Sequence, residues 1–97
     1  MKRLPITPRM AEIARRIVWF ETPEVSLADP VRFMAYAMAR ATIEDMGEIR
    51  RHVTDGDFLN AIDHAPPGIV DPRSWAYWNL IVAKRSPPPP MPARTFR

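Results

Sequence analysis

The two imidazoles, His52 and His64, flank Asp55, Asp57, Asn60 and Asp63, so metal ligation is the first chemistry to weigh. Asn60 and Asp57 precede His64 by four and seven residues, and on a helix all three side chains share a face, as a metal site requires. The spacing fits no standard ligand set. In Asp55-Gly56-Asp57 the glycine comes too early for an EF-hand loop, and no bidentate glutamate follows at the right distance. These residues read as helix caps and solvated surface, and neither a metal nor a cofactor is expected. The chain has no cysteine, which removes disulfide scaffolds, thiolate zinc sites and thiol nucleophiles. Ser26, Ser74 and Ser86 stand in no nucleophile-elbow context, and Gly47, Gly56 and Gly68 are too scattered for a phosphate-cradling loop. No catalytic residue is expected and the chain reads as a non-enzyme.

What remains is binding chemistry. Trp75 and Trp78 fall on one helical face with Val82, while Tyr77 and Ile81 define another. One reading packs Trp75 and Trp78 into the core together with Trp19. The other makes Tyr77 or one tryptophan an anchor for a partner, with Arg73 and Asn79 at its rim, because Trp, Tyr and Arg dominate interface energetics. Beyond this cluster, Lys84-x-x-Pro87-x-x-Pro90 fits a basic-flanked PxxP ligand, a weak signal because four consecutive prolines satisfy it cheaply. The candidate partner-binding residues are therefore Arg73, Trp75, Tyr77, Trp78 and Arg85.

The elements that must position these residues are punctuated by proline, 12 residues against three glycines in a chain of 97. A Thr or Asp followed at once by Pro is a helix start: the side-chain oxygen takes a free N–H of the first turn, and Pro at N1 forfeits no hydrogen bond. Thr7-Pro8 opens a first helix, with Met10, Ile13, Ala14 and Ile17 on one face, ending near Phe20 before Pro23. Asp29-Pro30 opens a second, apolar on most of its circumference and therefore central to a bundle. Thr42 with Asp45, and Thr54 with Asp57, are capping-box-like starts. The first carries Ile43, Met46, Ile49 and Val53 inward, and the second packs Phe58, Leu59 and Ile62. Asp71-Pro72 opens the last helix, from Arg73 to about Lys84. No period-2 run flanked by turn residues reads as a strand. The fold class is all-α, a bundle of four to five short helices, with an N-terminal arm over 1–6, a helical domain over 7–85 and a semi-rigid proline-rich tail over 86–97.

Charge is segregated along this frame. Residues 1–19 carry five basic and one acidic residue (+4), residues 20–71 four basic and ten acidic (−6), and residues 72–97 five basic and none acidic (+5), which sum to the formal +3. The blocks either fold onto each other, the simpler reading, or present faces of opposite sign to partners. A helix-turn-helix built on the Thr54 helix fails on charge, because no Lys or Arg lies between Arg51 and Arg73. Basic termini lining a groove leave a nucleic-acid-binding regulator as the alternative function. The apolar run Trp75–Ala83 is about half of the ~20 residues a membrane span needs, and the basic start lacks a signal peptide's apolar core, so a cytoplasmic chain is expected. The thin burial margin of a short chain keeps homo-oligomerisation open.

Three stretches together, Trp19-Phe20-Glu21, Asp29-Pro30-x-Arg32-Phe33-Met34-Ala35-Tyr36 and the run from Ala65 to Asn79, resemble small bacterial proteins encoded beside abortive-infection-type nucleotidyltransferase toxins. The resemblance spans about residues 10 to 80 and excludes the proline-rich tail. It implies an antitoxin that covers the toxin's substrate cleft stoichiometrically, with the acidic middle facing a basic RNA-binding cleft. It carries over no catalytic residue.

Overall fold

In the computed structural model, which describes residues 2–92, the fold is all-α. Six helices are present among the described residues: α1 (Pro8–Ile17), α2 (Pro23–Ala28), α3 (Pro30–Arg40), α4 (Ile43–Ile49), α5 (Asp55–Asp63) and α6 (Pro72–Ala83). Each start read from the sequence is made as expected. Thr7 Oγ1 accepts from Met10 N–H at 3.1 Å, Asp29 Oδ1 from Arg32 N–H at 3.3 Å, and Asp71 Oδ2 from Ser74 N–H at 3.1 Å. Thr42 with Asp45 and Thr54 with Asp57 form complete reciprocal capping boxes.

The sixth helix is α2, where Thr22-Pro23 repeats the same device in a place the sequence reading treats only as a helix end. Thr22 makes no side-chain cap. The short helix is held by tertiary contacts instead: Leu27 is fully buried, and buried Ser26 donates its hydroxyl to Glu21 Oε1 at 2.8 Å. The first helix also stops earlier than Phe20, at Ile17, because Arg40 reaches from α3 and donates to the Ile17 carbonyl at 2.9 Å. A cation on the last free carbonyls of a helix stabilises that terminus.

The apolar helix α3 is central as expected, packing against α1, α2, α5 and α6 and burying Phe33, Met34, Ala35, Ala37 and Met38. Met10, Ile13 and Ile17 of α1 and Phe58 and Ile62 of α5 complete the core around it. The charge blocks fold onto one another. Arg16 of the basic start forks onto Asp45, and Arg85 of the basic end meets Asp63 at 2.8 Å.

The described parts of the expected arm and tail pack against the domain. Leu4 is buried and its N–H donates to the Leu27 carbonyl at 2.9 Å. The proline-rich segment folds back along α6: Trp75 Nε1–H donates to the Pro89 carbonyl at 2.7 Å, and Met91 packs against the core. A buried indole needs an acceptor, and a proline run without internal hydrogen bonds has carbonyls to offer. Phe96 and Arg97, part of the expected tail, lie outside the described residues. Among the described residues no helix is long and apolar enough to cross a membrane.

Candidate functional site

A surface groove of about 680 Å³ runs between α4 and α6 over the C-terminal end of α3. Its floor is Met38 and Met46, and its α6 wall is Tyr77 and Trp78. Trp78 is fixed from three directions. Its indole N–H donates to the Met38 carbonyl at 3.0 Å, its ring lies 5.2 Å from that of Phe58, and Tyr77 meets it edge-on at 4.8 Å. Tyr77 itself is 53% exposed, and across the groove Ile43 is 91% exposed. Arg50 and Arg73 stand at the rim, and among the described residues no carboxylate lines the groove.

The opposite wall depends on one buried acid. Asp45 is 3% exposed, closes the Thr42 capping box and receives the Arg16 guanidinium, so α4 is pinned to α1 on that face. The Arg16 hydrogen bond holds the Asp45 carboxyl below the usual carboxylate range, outweighing the opposing effect of burial. Ile43 lies two residues before Asp45, about 200° round the helix, and therefore faces solvent. The expectation that Ile43 points inward is corrected here: Met46, Ile49 and Val53 are buried and Ile43 is not.

The structure divides the five sequence-predicted binding residues into two groups. Arg73, Tyr77 and Trp78 come together at the groove. Trp75 is 5% exposed on the far side of α6, capped by Pro89, and Arg85 is engaged by Asp63 and by Asn79 Oδ1 at 3.3 Å. Trp75 is thus covered by the domain itself, and the Arg85 guanidinium is paired within it. Asn79, expected at the rim, is fully buried and donates to the Trp75 carbonyl at 2.9 Å. Trp19, expected in the core beside the other tryptophans, is 74% exposed.

No known protein family, curated protein or solved structure matches the chain.

Among the groove residues that the sequence reading missed are Ile43 and Gly47 on α4 and Arg50 at its C-cap. They follow an i, i+4, i+7 spacing opposite Asp45 and Ile49, a signal legible only once Asp45 is known to be the buried side.

Two further clusters are internally satisfied. Tyr36 lies between Arg32 and Arg40, one turn away on either side, with the guanidinium carbons 5.3 and 5.0 Å from its ring. Arg32 also forks onto Glu21 at 2.5 and 3.2 Å. That contact, reinforced by Ser26, holds the Glu21 carboxyl below its ordinary value against the effect of burial. The histidines do not converge: His52 Nε2 lies 3.1 Å from Glu48 Oε2, whereas His64 Nδ1 lies 2.9 Å from the Asn60 carbonyl. Asp57 is occupied in its capping box.

Proposed function

We propose that this chain is a protein-binding module without chemistry of its own, an antitoxin-like partner that covers a nucleotidyltransferase-type toxin and docks through the α4–α6 groove. The observation that carries the docking surface is the pair Ile43 and Tyr77, 91% and 53% exposed on facing walls of one apolar groove. Burying a side chain such as Ile43 is worth about 1.5–3 kcal/mol, a gain this chain leaves unused on its own. A tyrosine seated on a fixed tryptophan adds a rigid anchor of the kind that dominates interfaces. The choice of a nucleotidyltransferase rests on the sequence resemblance. The protein-binding reading is favoured over the nucleic-acid one because Arg16 and Arg85, from the two basic ends, are engaged by Asp45 and Asp63.

The test is co-expression of the tagged chain with the product of the adjacent open reading frame, which this reading expects to be a nucleotidyltransferase, followed by pull-down. Tyr77→Ala and Ile43→Asp are expected to abolish capture while circular dichroism retains the wild-type helix content. Capture that survives both substitutions removes the groove from the docking surface. Retention on immobilised DNA with a steep salt slope, in place of protein capture, favours the regulator reading.

A further inference from the structure

We infer that the occupant of this groove is an acidic amphipathic helix that crosses α4 at Gly47, an inference that rests on the protein-binding reading above. Gly47 sits within α4, where glycine weakens a helix relative to alanine. Nothing inside the molecule requires it. Its backbone is ordinary helix, and a Cβ placed on it meets no atom within 4 Å. The residue lines the groove one turn after Ile43 and one turn before Arg50. A position without a side chain lets a partner backbone come close to α4, since the separation of packed helices is set by the side chains at their crossing point.

The surroundings select the partner's chemistry. Among the groove-lining residues the only charges are Arg50 and Arg73, and no carboxylate is among them. Arg50 is already paired with Asp55 at 2.8 Å, while Arg73 is exposed and enters no ion pair among the described residues. A partner seated here therefore brings a carboxylate to Arg73 and apolar side chains to Ile43, Tyr77 and Trp78. Strand addition needs an open sheet edge, and the described residues contain none. An amphipathic helix presents the required apolar stripe with acids beside it.

The experiment uses the full chain and a display library of amphipathic helical peptides whose polar positions are randomised over Glu, Lys and Ala. Selected peptides are expected to be rich in Glu, and to lose about ten-fold or more in affinity against Arg73→Glu and against Gly47→Leu. Gly47→Ala supplies the signature that a structural role cannot: the melting temperature rises while peptide affinity falls. A rise in melting temperature with unchanged affinity overturns the inference. So do selection of Lys-rich peptides, failure to enrich any peptide, or sedimentation showing a second copy of this chain seated in the groove.

The co-expressed gene product separates the two levels. If its capture is lost with Tyr77→Ala but indifferent to Gly47→Leu and Arg73→Glu, the helical occupant is refuted and the groove remains a docking surface. If Tyr77→Ala and Ile43→Asp both leave capture intact, the docking surface itself is refuted.

Discussion

Trp75 and Tyr77 stand two residues apart on α6, yet one is 5% exposed and the other 53%. Both are large aromatics with a polar end, and both lie against a lined depression of the surface. The difference is what covers them. Behind Trp75 the chain returns on itself, and Pro89 accepts the indole proton while Arg85 closes onto Asp63. In front of Tyr77 no described segment returns, and the facing wall presents Ile43 to solvent. An aromatic whose polar atom is satisfied and whose rings are covered belongs to the fold. One left half-exposed beside an arginine that enters no ion pair among the described residues is the surface on which the proposed docking rests.

The largest effect should come from breaking the covered side. Trp75→Ala is expected to cost about 3–5 kcal/mol in a denaturant titration, the usual result of emptying a buried aromatic site. Tyr77→Ala should change stability by only about 0.5 kcal/mol, the range of surface substitutions. Equal losses at the two positions would dissolve the contrast.

Next in size is the wall that presents Ile43. Arg16→Ala leaves the buried Asp45 carboxylate without its cation and should cost about 2 kcal/mol, less than a fully buried pair because Arg16 is itself half-exposed. The same contact sets an acid dependence. Asp45 and Glu21 have folded-state pKa values below their unfolded ones, so the stability they contribute is fully present above the unfolded carboxylate range, about pH 4. It is lost as the pH falls through the lower, folded values. Stability followed by circular dichroism from neutral pH downward should therefore hold until about pH 4 and fall below it, with a shallower fall in Arg16→Ala.

Trp75→Phe keeps an aromatic ring in the site but removes the donor to Pro89 together with the indole's second ring. A loss of about 1 kcal/mol is expected, together with faster proteolysis of the proline-rich segment at matched temperature. The smallest change is Gly47→Ala, a gain of about 0.4–1 kcal/mol in the free chain, readable as a rise in melting temperature. That gain sharpens the comparison, because no substitution on the covered side should stabilise the domain while weakening a complex.

Much of the fold was legible in the residues. The caps at Thr7, Asp29, Thr42, Thr54 and Asp71 are short-range chemistry, and each starts a helix where its side chain predicts one. The apolar circumference of α3 announces its central place. Less of the site was legible. Tyr77, Trp78 and Arg73 were identifiable as residue types that bind, but the same reasoning picked out Trp75 and Arg85, which the domain uses for itself. The outward place of Ile43 is not legible, because apolar periodicity alone cannot decide which face of a seven-residue helix turns inward.

Local chemistry therefore determined the all-α class, the helix starts and the choice of aromatic residues, because capping and periodicity act within a turn or two of the chain. Tertiary structure decided which of those residues are free. Arg16 reaching Asp45 rotates Ile43 outward, Arg40 ends α1 at Ile17, and Pro89 covers Trp75, each a contact between residues far apart in the chain. Exposure depends on what the rest of the chain folds against, and short-range patterns in a sequence do not encode that.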